Sequence, residues 1–185
     1  MKFGKTELEG LLLIEPLCIR DERGFFLESY QEARYRTAGV MDDFVQDNHS
    51  RSARGVLRGL HFQVQYPQAQ IVTVLRGRIF DVAVDLRRGS PTFARWFGAD
   101  LSEDGPRQVY MASGFAHGFC VLSDFADLHY KVSRFYDHAD EGGLLWSDPE
   151  IGIKWPIQNP IVSGRDAAFP PLRNIDRATL PQMDR

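Results

Sequence analysis

The chain has 185 residues and a formal net charge of −3, with 43% of its residues hydrophobic and 25% charged. That length allows one well-buried core, the composition is ordinary for a globular protein, and one domain over residues 1–185 is expected. There is no global basic field for nucleic acid or an anionic membrane, so an anionic ligand must be held by local arginines. The opening Met1-Lys2-Phe3-Gly4-Lys5 lacks the apolar stretch of a secretory signal, and no run approaches membrane-spanning length. The cytoplasm is therefore the expected compartment. Cys18 and Cys120 give neither a disulfide framework nor a CxxC pair.

In chain order, Leu11–Glu15 reads as a strand and Asp21-Glu22-Arg23-Gly24 as a solvated turn. Gln31 to Thr37 is the best helix-forming stretch, closed by Gly39. Arg58-Gly59-Leu60-His61-Phe62-Gln63 reads as strand. The clearest strand pair is Ile71–Leu75 and Ile79–Leu86, joined through Arg76-Gly77-Arg78. In the second of these, Phe80, Val82, Val84 and Leu86 share one face, while Ile79, Asp81, Ala83 and Asp85 share the other. Further strands are expected at Arg95–Ala99, Arg107–Met111, Phe119–Leu122 and Leu128–Ser133. Many short antiparallel strands in one domain argue for an all-β sandwich or jelly roll with few short helices. The Pro-rich, aperiodic segment from about Pro156 is expected to wrap the outside. There is no internal repeat.

Chemistry concentrates around His61. A histidine exchanges a proton near neutral pH, and Arg58, three residues before it, keeps its charge and fits an oxyanion. The pair suggests proton transfer at carbon beside an anionic group. Tyr130, in a strand-like stretch where His129 faces the opposite side, can serve as an acid beside a cation or a developing carbanion. Asp166 can orient a histidine by a carboxylate–imidazole hydrogen bond. Each also has a structural reading: a packed histidine, a core tyrosine, a turn aspartate after Gly164. Position 63 is Gln63, so His61 starts no His-x-His pair, and no metal is expected. No nucleophile elbow, P-loop or dinucleotide fingerprint occurs.

Together these segments resemble one family. Asp21-Glu22-Arg23-Gly24-Phe25-Phe26-Leu27-Glu28-Ser29-Tyr30, Phe44-Val45-Gln46-Asp47-Asn48-His49-Ser50 and Val56 to Gln63 are similar to signatures of the dTDP-4-dehydrorhamnose 3,5-epimerases. So are Phe80 to Asp85, Gly114-Phe115-Ala116-His117-Gly118-Phe119, Tyr130-Lys131, Glu141, Trp146 and Ser163 to Asp166. The resemblance runs in register from about Glu15 to Pro170.

It implies a cupin-like jelly-roll barrel, a homodimer and catalysis without a cofactor. The implied substrate is a nucleotide-linked 4-keto-6-deoxy sugar, whose C4 carbonyl acidifies the hydrogens at C3 and C5. On this resemblance His61 is the general base, Asp166 its dyad partner, and Tyr130 the acid on the opposite face. Arg58 corresponds to an arginine near the enolate, and Arg23 to one that reaches the pyrophosphate. Glu28, Gln46 and Asn48 match nucleotide-side positions, Tyr136 an aromatic beside the base, and Phe26, with Phe25, a stacking surface. Gln70, His117, Lys131 and Glu141 complete the implied substrate-binding set, part of it supplied by the partner subunit's N-terminal strands.

Three departures stand out. Gln70 occupies a position where the family usually has a lysine against the enolate oxygen. Met111-Ala112-Ser113-Gly114 lacks a common proline, and Ile19 replaces a frequent aromatic. Three readings follow: an epimerase that inverts both carbons; one that inverts a single carbon or takes another nucleotide sugar; and a non-catalytic sugar-nucleotide module or metal-dependent barrel.

Overall fold

Short apolar runs broken by Gly, Pro and Asp become strands throughout the computed structural model, which describes residues 1–183. The strands are β1 (Lys2–Lys5), β2 (Leu11–Glu15), β3 (Cys18–Asp21), β4 (Gly24–Leu27), β5 (Gln46–Ala53), β6 (Leu57–Gln63) and β7 (Gln70–Arg76). They continue with β8 (Arg78–Asp85), β9 (Trp96–Ser102), β10 (Gln108–Met111), β11 (Phe115–Val121), β12 (Phe125–Val132) and β13 (Glu141–Gly143). Two short helices accompany them, α1 (Glu32–Thr37) and α2 (Gly164–Ala167).

Six strands form one sheet in the order β1-β2-β10-β7-β12-β5, five form a second in the order β13-β6-β11-β8-β9, and β3-β4 is a separate hairpin. All the pairings between these named strands are antiparallel. From β5 to β8 and again from β10 to β13 the chain crosses between the sheets at each step. This is the jelly-roll arrangement, and it brings residues distant in sequence to one interior.

The two sheets close on a core to which Val72, Val74, Val109 and Leu128 come from the larger sheet and Ile79, Ala83, Leu101 and Phe119 from the smaller. Strand β8 divides its faces as the alternation predicts. Ile79 and Ala83 enter this core, while Val82, Val84 and the adjoining Leu86 pack on the outside of the smaller sheet. Leu172 and Leu180 of the C-terminal segment cover that outer face. The outer face of the larger sheet is covered by α1, whose Tyr35 packs against Ile14, Ile71 and Tyr110. The fully buried Asp85 is held by two bonds from the Arg87 guanidinium and by the hydroxyls of Ser90 and Thr92.

The structure adds to the predicted strands in two ways. β11 begins at Phe115, four residues earlier than the sequence suggested, because Gly118 and the preceding Gly114 conceal a strand that pairs continuously with β8 from Phe115↔Asp85 to Val121↔Ile79. β5, with the sequence Gln-Asp-Asn-His-Ser-Arg-Ser-Ala, carries no apolar stripe and is organised by eight registered partners on β12. β1, β3, β4 and β13 were also unforeseen.

Candidate active site

The site begins with an irregularity in β6. His61 stands opposite His117 on β11 and Arg58 opposite Phe119, so a three-residue step on β6 spans two residues of its neighbour. Residues three apart on a regular strand face opposite ways; the extra residue restores the parity. Arg58 and His61 thereby line the same interior cleft. Gly59 makes this possible. Its φ is +123°, and a Cβ there would lie 2.6 Å from the Gly118 Cα and 2.8 Å from the His117 carbonyl oxygen.

Behind His61 stands Asp166 on α2. Its Oδ1 lies 2.9 Å from the imidazole Nε2, and its Oδ2 accepts the Gly59 N–H at 3.1 Å. Ser163 caps α2, its Oγ accepting the Asp166 N–H at 3.0 Å. Burial acts to raise the Asp166 carboxyl, but the hydrogen bonds from His61 and Gly59 and the nearby imidazole outweigh it, leaving the group below the ordinary carboxylate range. An ionised carboxylate only accepts, so it fixes the proton of a neutral imidazole on Nε2 and leaves the lone pair on Nδ1. Phe169 sets the ring's plane with an edge contact, centroids 5.7 Å apart.

A second carboxylate approaches the other nitrogen. Glu141 Oε1 lies 3.7 Å from His61 Nδ1, while its Oε2 accepts the Tyr136 hydroxyl at 2.9 Å and pairs with Arg165. Burial first, then the adjacent Glu141, raise the Tyr136 phenol, with Arg165 opposing.

The facing wall belongs to the larger sheet. Tyr130 of β12 lines the cleft with Gln70 of β7 and Asn48 of β5, and the cleft encloses about 500 Å³. Arg58 spans the two sheets, its Nε donating to Ser52 Oγ of β5 at 2.9 Å. His117 also lines the cleft, and its Nε2 lies 2.7 Å from Asp81, which is 1% exposed. Two imidazole–carboxylate pairs therefore face one cavity.

Of the residues predicted from sequence, the cleft gathers Asn48, Arg58, His61, Gln70, His117, Tyr130, Tyr136 and Glu141, with Asp166 directly behind. Gln46 sits just outside and orients two of them, donating to Asn48 Oδ1 at 2.7 Å and accepting the Tyr136 N–H at 3.1 Å. Lys131 is not among the lining residues. Adjacent to Tyr130 on a strand, it takes the opposite face, where its Nζ donates to Asp47 at 2.6 Å and lies over the Tyr30 ring. The Lys131 bond is the main reason Asp47 lies below the ordinary carboxylate range.

Arg23, Phe26 and Glu28 also lie away from this chain's cleft. Arg23, in the exposed turn of the β3–β4 hairpin, is hydrogen-bonded to Asp21, and those bonds lower the Asp21 carboxyl. Phe25 and Phe26 are 61% and 70% exposed, and Glu28 lies 3.2 Å from Arg34. Sequence reasoning did not single out Arg165, Asp81, Gln63 or Phe169. Arg165 adjoins Asp166 in Ser163-Gly164-Arg165-Asp166, and Asp81 is on the inward face of β8. Gln63 exchanges two hydrogen bonds with the Asp137 backbone, a pairing no spacing reveals. Among the described residues, no group of three or more His, Cys, Asp or Glu is gathered so as to hold a metal ion, and no helix is long and apolar enough to cross a membrane.

Residues 5–174 match the family model described as dTDP-4-dehydrorhamnose 3,5-epimerase. An enzyme of that name from Shigella flexneri is 51% identical over 164 residues, which are 88% of this chain and 91% of the relative. The crystal structure of the dTDP-6-deoxy-D-glucose-3,5-epimerase RmlC from Legionella pneumophila Philadelphia 1, in complex with dTDP-4-keto-L-rhamnose, matches with a TM-score of 0.96 at 47% identity, covering 100% of this chain and 99% of that one. A dTDP-4-dehydrorhamnose 3-epimerase from Streptomyces niveus is 45% identical over 168 residues, 90% of this chain and 81% of the relative.

Proposed function

The chain belongs to the dTDP-4-dehydrorhamnose 3,5-epimerase family, and we propose that it inverts C3 and C5 of a dTDP-linked 4-keto-6-deoxy sugar, a step of dTDP-L-rhamnose-type biosynthesis. The observation that carries the mechanism is the placement of His61 and Tyr130 on opposite sheets across one cleft, with Asp166 bonded behind His61. Inversion at carbon needs such a two-sided arrangement.

The ketone at C4 acidifies the neighbouring C–H bonds. His61 Nδ1 takes the proton, the C–H electron pair becomes a double bond between that carbon and C4, and the C4–oxygen π pair moves onto oxygen to give the enolate. Tyr130 returns a proton to the same carbon from the other face, and the ketone re-forms. Asp166 holds the imidazole in its tautomer and stabilises the imidazolium. The enolate oxygen finds donors in Arg58 and Gln70, both of which line the cleft. Gln70 donates without a formal charge, and a charge-assisted bond is about twice as strong. Arg58 therefore carries more of the oxyanion here. A cleft of about 500 Å³ falls within the range usual for small-molecule sites.

The active unit is a homodimer in which each β3–β4 hairpin reaches the partner's cleft. Arg23, Phe26 and Glu28 lie outside their own cleft, and the exposure of Ile19, Phe25 and Phe26 on one hairpin supports this reading. Arg23 would then meet the diphosphate and Phe26 the base.

A second reading, inversion at one carbon only, is favoured by the similarity to the Streptomyces niveus 3-epimerase and by the uncharged Gln70. Incubation with dTDP-4-keto-6-deoxyglucose in D₂O, followed by NMR, separates the two. Deuterium at both C3 and C5 supports the main reading, deuterium at one carbon selects the second, and none at either contradicts both.

A further inference from the structure

We propose that Glu141 is the proton exit of this site, returning His61 to its basic form between the two inversions. The inference rests on the reading above, in which one base serves both carbons.

Each inversion moves one proton from carbon to His61 and one from the acid to carbon. After the first, the imidazole holds protons on both nitrogens and cannot accept another. The Nε2 side offers no way out. Its partner Asp166 is 4% exposed at the side chain and has its second oxygen on the Gly59 N–H. The Nδ1 side does. Glu141 Oε1 lies 3.7 Å away, and because Tyr136 and Arg165 both engage Oε2, Oε1 is the free acceptor aimed at the ring. Catalytic hydrogen bonds are often long in an empty site and tighten once substrate is bound.

Glu141 is itself 8% exposed at the side chain, but its two anchors sit at the rim, where Tyr136 is 45% exposed. The Nδ1–H bond breaks and an Oε1–H bond forms, leaving a neutral imidazole and a neutral acid. That acid then gives its proton to water at the rim. Tyr130 regains a proton from solvent separately, so one proton leaves and one enters between inversions. With the relay intact, both carbons invert during one binding event. Without it, the singly inverted sugar accumulates or departs.

The test uses the full chain in excess over dTDP-4-keto-6-deoxyglucose in D₂O, quenched at intervals, with NMR giving the ratio of doubly to singly deuterated sugar. Glu141→Gln should lower that ratio by about tenfold or more, on the scale of a lost acid–base group. Added imidazole buffer should raise it again with concentration, since a small carrier replaces the missing acceptor. Tyr136→Phe, which removes one anchor of Glu141, should lower the ratio by less, and it serves alone if Glu141→Gln does not fold. An unchanged ratio in the variants overturns the proposal. So does an equal slowing of both exchanges without buffer rescue, the signature of a residue that only positions its neighbours. Wild-type protein that labels neither carbon instead sinks the epimerase reading beneath it.

Discussion

Replacing Asp166 by Asn keeps the shape of α2 and removes the charge behind His61. The amide oxygen can still accept the Gly59 N–H, now made at 3.1 Å, so the fold should hold. What is lost is the charged acceptor 2.9 Å from Nε2, which both fixes the tautomer and stabilises the imidazolium formed in the transition state. A hydrogen bond to a charged group is worth about 1.5–3 kcal/mol, and at about 1.4 kcal/mol per tenfold the rate should fall roughly 10- to 150-fold. Steady-state kinetics with the keto sugar should place the loss in kcat and leave KM nearly unchanged, because Asp166 touches the base and not the ligand. The change also has a pH signature in stability. Asp166 is depressed in the folded state, so its contribution is present above the ordinary carboxylate range and is lost as pH falls through the lowered value. Denaturation curves of wild type and Asp166→Asn should therefore converge in acid. A rate loss below about threefold, or one carried by KM, would refute the dyad.

Gly59→Ala should destabilise the protein by about 2–5 kcal/mol in denaturant unfolding, because the new Cβ meets backbone 2.6 Å away at a φ of +123°; an unchanged midpoint would show that β6 has room. Gln70→Lys should raise turnover by about tenfold if the neutral donor limits enolate stabilisation, whereas an equal or lower rate would mean that Arg58 already compensates. Mixing inactive Arg23→Ala and His61→Ala chains should recover up to about a quarter of wild-type activity, since half the dimers are mixed and each has one intact site. No recovery would place Arg23 and His61 in the same chain's site and overturn the shared-site reading.

The fold was legible where burial alternates. β8 announced both of its faces because Val82 and Val84 pack outward while Ile79 and Ala83 fill the interior. β5 was silent because its order comes from backbone pairing with β12 and its buried or half-buried positions, Gln46, Asn48, Ser50 and Ser52, are all polar. His61 and Asp166, 105 positions apart, could be joined only through the resemblance, as no local pattern spans that separation. The bulge that puts Arg58 and His61 on one face is a register event that a single strand's sequence does not encode. Lys131 shows the converse. Its adjacency to Tyr130 within a strand already assigned it to the other face, and it lies there against Asp47. Arg165 and Asp81 acquire their roles only from partners brought in by the fold.

The central claim, a base on one sheet and an acid on the other, is tested most directly by separating proton exchange from inversion. In D₂O with dTDP-4-keto-6-deoxyglucose, His61→Ala should incorporate no deuterium at C3 or C5. Tyr130→Phe should still incorporate it but return the proton from the His61 side, with configuration retained. Exchange that survives His61→Ala, or inversion at an undiminished rate in Tyr130→Phe, would contradict the account.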